Sequence, residues 1–179
     1  ERFDWDAKIT VDREKIKDLS SLNFTDRHEN VIFCGPVGVG KTHLANALGL
    51  IACRKMQSVL KIKASDMLKT LHKSRGDNSL GKELITFIGM DLLIVDDFGL
   101  KPLTGEESSD FYEIIVERYG RASTILTSNR HVEEWVPLFD DPIVANSALD
   151  RLAHNAHQIV IEGESYRRRM AANLSARKD

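Results

Sequence analysis

Residues 31–42 read Val31-Ile-Phe-Cys-Gly-Pro-Val-Gly-Val-Gly-Lys-Thr42, four apolar residues and then an octet with glycine at three places and Lys-Thr at its end. The apolar run has the length and composition of a strand buried on both faces. The octet has the spacing G-x-x-x-x-G-K-T, and a helical pattern follows from Thr42 to Arg54. Strand, glycine-rich turn and helix, in that order, are the setting in which this spacing binds phosphate. Gly35, Gly38 and Gly40 let the backbone curl round an anion, with successive N–H groups and the helix N-terminus aimed at it. Lys41 then reaches the β- and γ-phosphates, and the Thr42 hydroxyl takes a place on Mg²⁺. The expected cofactor-binding segment is therefore Gly35, Pro36, Val37, Gly38, Val39, Gly40, Lys41 and Thr42, with His43 directly after it. ATP with Mg²⁺ is the expected ligand.

Two further runs end where such a loop needs partners. Leu92-Leu-Ile-Val-Asp-Asp-Phe98 places adjacent carboxylates behind four apolar residues, at the rim of the same sheet. Asp96 is expected to hold the Mg²⁺ that Thr42 also touches, directly or through water, and Asp97 to orient the attacking water. Ser123-Thr-Ile-Leu-Thr-Ser-Asn129 is a third buried strand, ending in a polar triplet. In P-loop ATPases with an extra strand between the P-loop strand and the magnesium strand, an Asn at this strand's end points at the γ-phosphate and water. Asn129 suits that role.

Around these motifs strands alternate with helices. Val31–Cys34, Ser58–Ile62, Leu92–Val95, Ser123–Thr127 and Gln158–Ile161 read as strands. Helical patterns lie near Thr42–Arg54, Ser65–Ser74, Gly81–Phe87, Glu106–Tyr119 and Ile143–Ala153. Thr104 with Glu107 forms a capping box, Asp141-Pro142 an N-cap followed by a first-turn proline, and residues 76–79 a loop. Such alternation builds a parallel sheet with helices on both faces.

Length and composition narrow the function classes. At 179 residues, 42% hydrophobic and 29% charged, the chain fits one domain with a real core. No apolar run approaches the roughly 18 residues of a membrane span, and no signal-peptide pattern opens the chain, so a cytoplasmic location without membrane contact is expected. Cys34 and Cys53 lack metal-ligand spacing and read as reduced core cysteines. His154 and His157 have no Cys or acidic partner at zinc spacing. The net charge of −2 hides an uneven distribution: residues 61–82 carry six Lys/Arg against two Asp, residues 165–178 carry five basic groups and no acid, and residues 106–117 are acidic.

The ordered motif set resembles the IstB/DnaC group of AAA+ ATPases. It comprises Glu29 to Ala45, Asp91-Leu-Leu-Ile-Val-Asp-Asp-Phe-Gly99 and Leu126-Thr-Ser-Asn-Arg130. Glu133-Glu-Trp135, Leu149-Asp-Arg-Leu-Ala-His-Asn155 and Gly163-Glu-Ser-Tyr-Arg167 bring it nearer to IstB, the helper ATPase of insertion-sequence transposition. The likeness runs from about Phe3 to Arg169, and it implies an ATPase core over residues 1–169 with a C-terminal helix or tail over 170–179. It also implies a three-layer α/β AAA+ fold with a five-stranded parallel sheet in the order 5-1-4-3-2, the lid domain being reduced or absent. A further helical segment is expected ahead of Glu1, and Phe3 and Trp5 either flank the adenine or pack in the core.

Function is implied by the same resemblance. IstB-like proteins bind ATP, self-associate on duplex DNA and work with a transposase. Arg151 matches an arginine finger that reaches a neighbouring subunit's γ-phosphate, unless it merely pairs with acids on its own helix. Arg167 matches an arginine that completes the nucleotide site, with Arg168 and Arg169 as competitors. Lys69, Lys73 and Arg75 lie in a region that faces nucleic acid in related initiators, and would neutralise phosphates there. Asp97 stands where many AAA+ proteins carry the longer Glu, which puts the hydrolysis rate in question. The expected activity is ATP hydrolysis by water attack, coupled to homo-oligomer assembly on DNA and recruitment of a transposase. A DnaC-like helicase loader, a nucleotide-gated scaffold with little turnover and a small-molecule P-loop kinase are the rivals.

Overall fold

A computed structural model describes residues 9–166 and 168. Phe3, Trp5, Arg167, Arg169 and the tail 170–179 lie outside the described residues. In chain order the elements are β1 (Ile9–Thr10), α1 (Arg13–Leu19), α2 (Asn23–Asp26), β2 (Asn30–Cys34), α3 (Lys41–Arg54), β3 (Val59–Lys63) and α4 (Ala64–Gly76). They continue as α5 (Leu80–Ile88), β4 (Leu92–Phe98), α6 (Gly105–Arg118), β5 (Ser123–Ser128), α7 (Pro142–His154), β6 (Ala156–Val160) and β7 (Glu162–Gly163). Two 3₁₀ turns, Val132–Glu134 and Val136–Leu138, join β5 to α7.

Five strands form one parallel sheet in the order β3-β4-β5-β2-β6. Numbering those five alone in chain order gives 2-3-4-1-5, which is the expected 5-1-4-3-2 seen from the other edge. Strand alternation divides the core in two. Val31, Phe33, Leu92, Ile94 and Ile125 meet Leu44, Leu48 and Ala52 of α3, with Ile16, Leu19 and Phe24 from α1 and α2. Ile32, Leu93, Val95 and Leu126 face Leu68, Phe87, Phe111 and Leu152 of α4 to α7 on the other side. There Trp135 is fully buried and meets the Phe98 ring edge-on at 4.8 Å.

The expected elements appear, most with ends moved by one or two residues. The last sheet strand begins at Ala156 rather than Gln158; its polar His157 and Gln158 are tolerated because β6 is an edge strand. The capping box at Thr104 and Glu107 and the Asp141 N-cap are both made. Helices α1 and α2 escaped the sequence pattern, because seven and four residues are too few for a periodicity to stand out.

One buried cation ties the end of the sheet remote from the P-loop. Arg118 is 2% exposed, and its guanidinium donates to the carbonyls of Phe87 (2.9 Å), Ile88 (2.9 Å), Met90 (2.8 Å) and Ser123 and to Thr124 Oγ1 (3.0 Å). It thus satisfies the last carbonyls of α5 and pins them to the start of β5. Burial lowers its pKa to about 10, with the charge of Asp91 opposing the shift.

Candidate functional site

The loop after β2 folds as the glycine spacing demands. Gly35 has φ +139, and a Cβ there would strike the backbone of Ile161, whose N–H bonds Cys34 O at 2.8 Å. Gly38 has φ +84, lies against Ser165 and accepts the Tyr166 N–H at its carbonyl, 2.9 Å away. The chain leaving β6 therefore runs across the loop at two points where only glycine fits. Lys41, 6% exposed, donates from Nζ to Gly35 O (2.6 Å), Pro36 O (2.7 Å) and Asn129 Oδ1 (2.8 Å). Pro36 and Val37 are exposed, Val39 is buried, and Gly40, Thr42 and His43 are half-buried. The Cys34 thiol below the loop is pushed up to about 11 by burial, with the Lys41 ammonium acting against the shift.

The carboxylate pair sits at a fault in the sheet. Asp96 shares its face of β4 with Leu92 and Ile94, the face covered by α3, because side chains alternate. It is 3% exposed, and its Oδ1 accepts from Thr42 Oγ1 at 2.8 Å and from Thr127 Oγ1 at 2.5 Å. A register shift between Val95 and Phe98 then breaks the ladder with β5. At this bulge Asp97 takes φ +58, a left-handed conformation that Asp tolerates better than most residues. Its N–H bonds Thr127 Oγ1 at 3.0 Å rather than a carbonyl of the neighbouring strand. One buried hydroxyl thus holds both aspartates.

The structure gathers Lys41, Thr42, Asp96 and Asn129 through direct bonds, and Asp97 through Thr127. Two more residues enter that the motifs did not single out: Thr127, and Lys61 of β3, whose Nζ is 3.4 Å from Asp96 Oδ2. The signal for Thr127 was its place two residues past Ile125, on the α3 face of a strand whose end meets the site. A hydroxyl and a carboxylate oxygen in contact are the hard donors Mg²⁺ takes, which it supplements with water and phosphate oxygens. Among the described residues no group of three or more His, Cys, Asp or Glu is placed to hold a metal.

Other expected site residues stand apart from this cluster. Arg151 donates to Ser147 O (2.8 Å) and Ser147 Oγ (2.6 Å) within α7. Lys69 and Lys73 are exposed on α4, Lys69 lying 3.7 Å from Asp66. Arg75, the third residue expected at DNA, forms a two-pronged bond with buried Asp110 at 2.6 and 2.8 Å, which raises its pKa and fastens α4 to α6. Arg167 is outside the described residues. His157 bonds Glu29 at 2.7 Å, and no described helix is long and apolar enough to cross a membrane.

Known proteins resemble this chain in sequence and in fold. The IstB-like ATP binding protein family (IstB_IS21) matches residues 1–173. The chain is 39% identical over 167 residues to a protein named for ATP binding in insertion sequence IS232 of Bacillus thuringiensis subsp. berliner, covering 93% of this chain and 67% of that protein. It is 41% identical over 167 residues to the counterpart named from insertion sequence IS21 of Pseudomonas aeruginosa, covering 93% of this chain and 63% of that protein. The chain thus spans about two thirds of the length of these relatives. Among solved structures, the DnaC helicase loader superposes with a TM-score of 0.71 at 24% identity, over 83% of this chain and 86% of that one. DnaA bound to AMPPCP and single-stranded DNA gives 0.71 at 23%, over 84% of this chain and 45% of that one. At those identities the likeness is one of fold, the α/β P-loop AAA+ fold. A family match over nearly the whole chain, on a fold that assembles the family's phosphate loop, makes this chain a member of the IstB-like ATP binding protein family.

Proposed function

We propose that this chain binds Mg²⁺ and ATP, hydrolyses the ATP, and couples that cycle to assembly on duplex DNA as a helper of transposition. The observation that carries the proposal is the bonded cluster at the ends of β2, β4 and β5, where Lys41 meets Asn129 and Thr42 meets Asp96. The insertion-sequence names of relatives about 40% identical support the biological setting.

Each residue has a definite task in this reading. The backbone N–H groups of Val37 to Thr42, at the loop and the N-terminus of α3, receive phosphate oxygens. Lys41 exchanges its loop carbonyls for the β- and γ-phosphates while Asn129 keeps its ammonium in line. Thr42 and Asp96 hold the metal, which when bound spreads the charge developing on the phosphate oxygens. Asp97 accepts a hydrogen bond from the attacking water and orients it, aimed by the bulge at Val95 to Phe98. Asn129, at the end of β5, is the second residue assigned to that water in this reading. Arg151, exchanging its bonds to Ser147, serves a neighbour's γ-phosphate in the assembled form, and Arg167 completes the site from the C-terminal side. Exposed Lys69 and Lys73 face the DNA backbone.

The test is ATP turnover with and without duplex DNA, alongside a mass measurement under the same conditions. DNA-stimulated release of inorganic phosphate by a multi-subunit species is expected. Phosphoryl transfer to a small molecule, or a monomer indifferent to DNA, would sink the proposal. Arg151→Ala and Lys41→Ala should each be inactive alone and partly active when mixed, because one brings an intact loop and the other an intact finger. Full activity in Arg151→Ala would remove the finger.

A further inference from the structure

Lys61 sits in the middle of β3, at the edge of the sheet, outside every motif of the nucleotide site. Its register partner on β4 is Ile94, so Lys61 shares a face with Ile94 and with Asp96, two residues further on. That face is the one covered by α3. From there the side chain leans towards the strand's C-terminal end and brings Nζ to 3.4 Å from Asp96 Oδ2. The other oxygen, Oδ1, is already taken by the hydroxyls of Thr42 and Thr127. Asp96 is therefore a buried carboxylate with one oxygen on hydroxyls and the other on an ammonium.

We propose that Lys61 is a tethered counter-ion of the magnesium position, which sets how much Mg²⁺ the site needs. The inference rests on the reading of Thr42 and Asp96 as metal holders. A buried carboxylate without a positive partner is unfavourable, and Lys61 supplies one from within the chain. A divalent ion held by the same carboxylate then meets a positive charge already in place. The two repel, and the ion must displace the ammonium or share the oxygen with it. Displacement is easy for this residue: its side chain is 38% exposed and ends in a single point charge on a flexible stem, so water is within reach. The site exchanges one cation for another without passing through a bare buried charge.

The sign follows directly. Removing the ammonium takes away a competitor, so Mg²⁺ binding tightens, while the metal-free protein loses the partner of Asp96 and becomes less stable. A Lys contributing only packing or solubility would produce neither opposite-signed change.

The experiment uses the full chain loaded with a fluorescent ADP, into which Mg²⁺ is titrated, together with melting curves in EDTA and in saturating Mg²⁺–ADP. Lys61→Met and Lys61→Gln are each expected to lower the half-saturating Mg²⁺ by roughly three- to tenfold, the range for a partly screened ion pair on a buried partner. Both variants should melt earlier than wild type in EDTA and close to it in Mg²⁺–ADP, which shows that they fold. Lys61→Arg, keeping the charge, should retain a midpoint near that of wild type. An unchanged midpoint in both neutral variants overturns the proposal. So does weaker ADP binding at saturating Mg²⁺, which would make Lys61 a phosphate ligand instead. Wild-type binding of nucleotide with no dependence on Mg²⁺ would instead overturn the reading of the site on which the proposal stands.

Discussion

Thr127→Val tests whether one hydroxyl governs both aspartates. The two side chains have nearly the same shape, and Thr127 is fully buried, so the change removes polarity and little else. The 2.5 Å bond to Asp96 Oδ1 goes to a charged acceptor and is worth about 1.5–3 kcal/mol. The Asp97 N–H, 3.0 Å from the hydroxyl, loses its acceptor. Asp97 is only half-buried, so water relieves part of that loss and about 1 kcal/mol remains. The added methyl returns up to about 1 kcal/mol of apolar burial. Stability should therefore fall by about 1.5–4 kcal/mol, read from urea unfolding at constant slope. Turnover should fall at least about tenfold, because a freed left-handed residue no longer aims its carboxylate. ADP affinity should stay within about twofold, since Lys41 and the loop are untouched. Thr127→Ser, which keeps the oxygen, should recover turnover. A Val variant that loses less than about 1 kcal/mol and hydrolyses ATP at the wild-type rate would refute the argument.

Arg118→Met should destabilise by about 3–5 kcal/mol in the same unfolding assay, because the buried carbonyls of Phe87 and Ser123 lose the guanidinium donor. Arg118→Lys should recover only part of this, as a single ammonium cannot span all five acceptors. Replacing Lys69 and Lys73 by Ala should reduce the salt slope of DNA binding by up to about 2. Arg75→Ala should leave the slope unchanged and lower stability, because its charge is spent on Asp110. At pH 8, with its pKa near 11, buried Cys34 should hold only about one thiolate in a thousand and resist alkylation. Exposed Cys53 should react, giving one modified thiol in the native protein and two after denaturation, by mass spectrometry.

The fold was legible where chemistry leaves few choices. The loop needed its strand before and helix after, and the apolar runs of β4 and β5 admit little besides buried parallel strands. Caps at Thr104 and Asp141 marked helix starts because each is a bond between near neighbours in sequence. What could not be read depends on distant partners. The ion pair of Arg75 with Asp110, 35 positions away, is one such case. Lys61 looks like an edge-strand solubility device until the β3–β4 register sets it beside Asp96. Arg118 reads as a helix-end cation, and only the packing of α5 on β5 turns it into a buried hub. The bulge at Asp97 carries no glycine to announce it, and it lies beyond Val95, where the strand expected from the sequence stops.

The left-handed backbone at Asp97 restricts which carboxylates this lineage can sample. Asp and Asn enter that conformation with modest strain, because their short polar side chains bond locally, whereas a longer side chain loses this help. A single base change from Asp to Glu would lengthen the acid and strain the turn together, and would misplace a group whose aim depends on the Thr127 hydroxyl. Reaching the glutamate form therefore takes two coupled steps, straightening the strand and lengthening the acid, with a poorer intermediate between them. The bulge favours the short acid at this position by backbone shape alone.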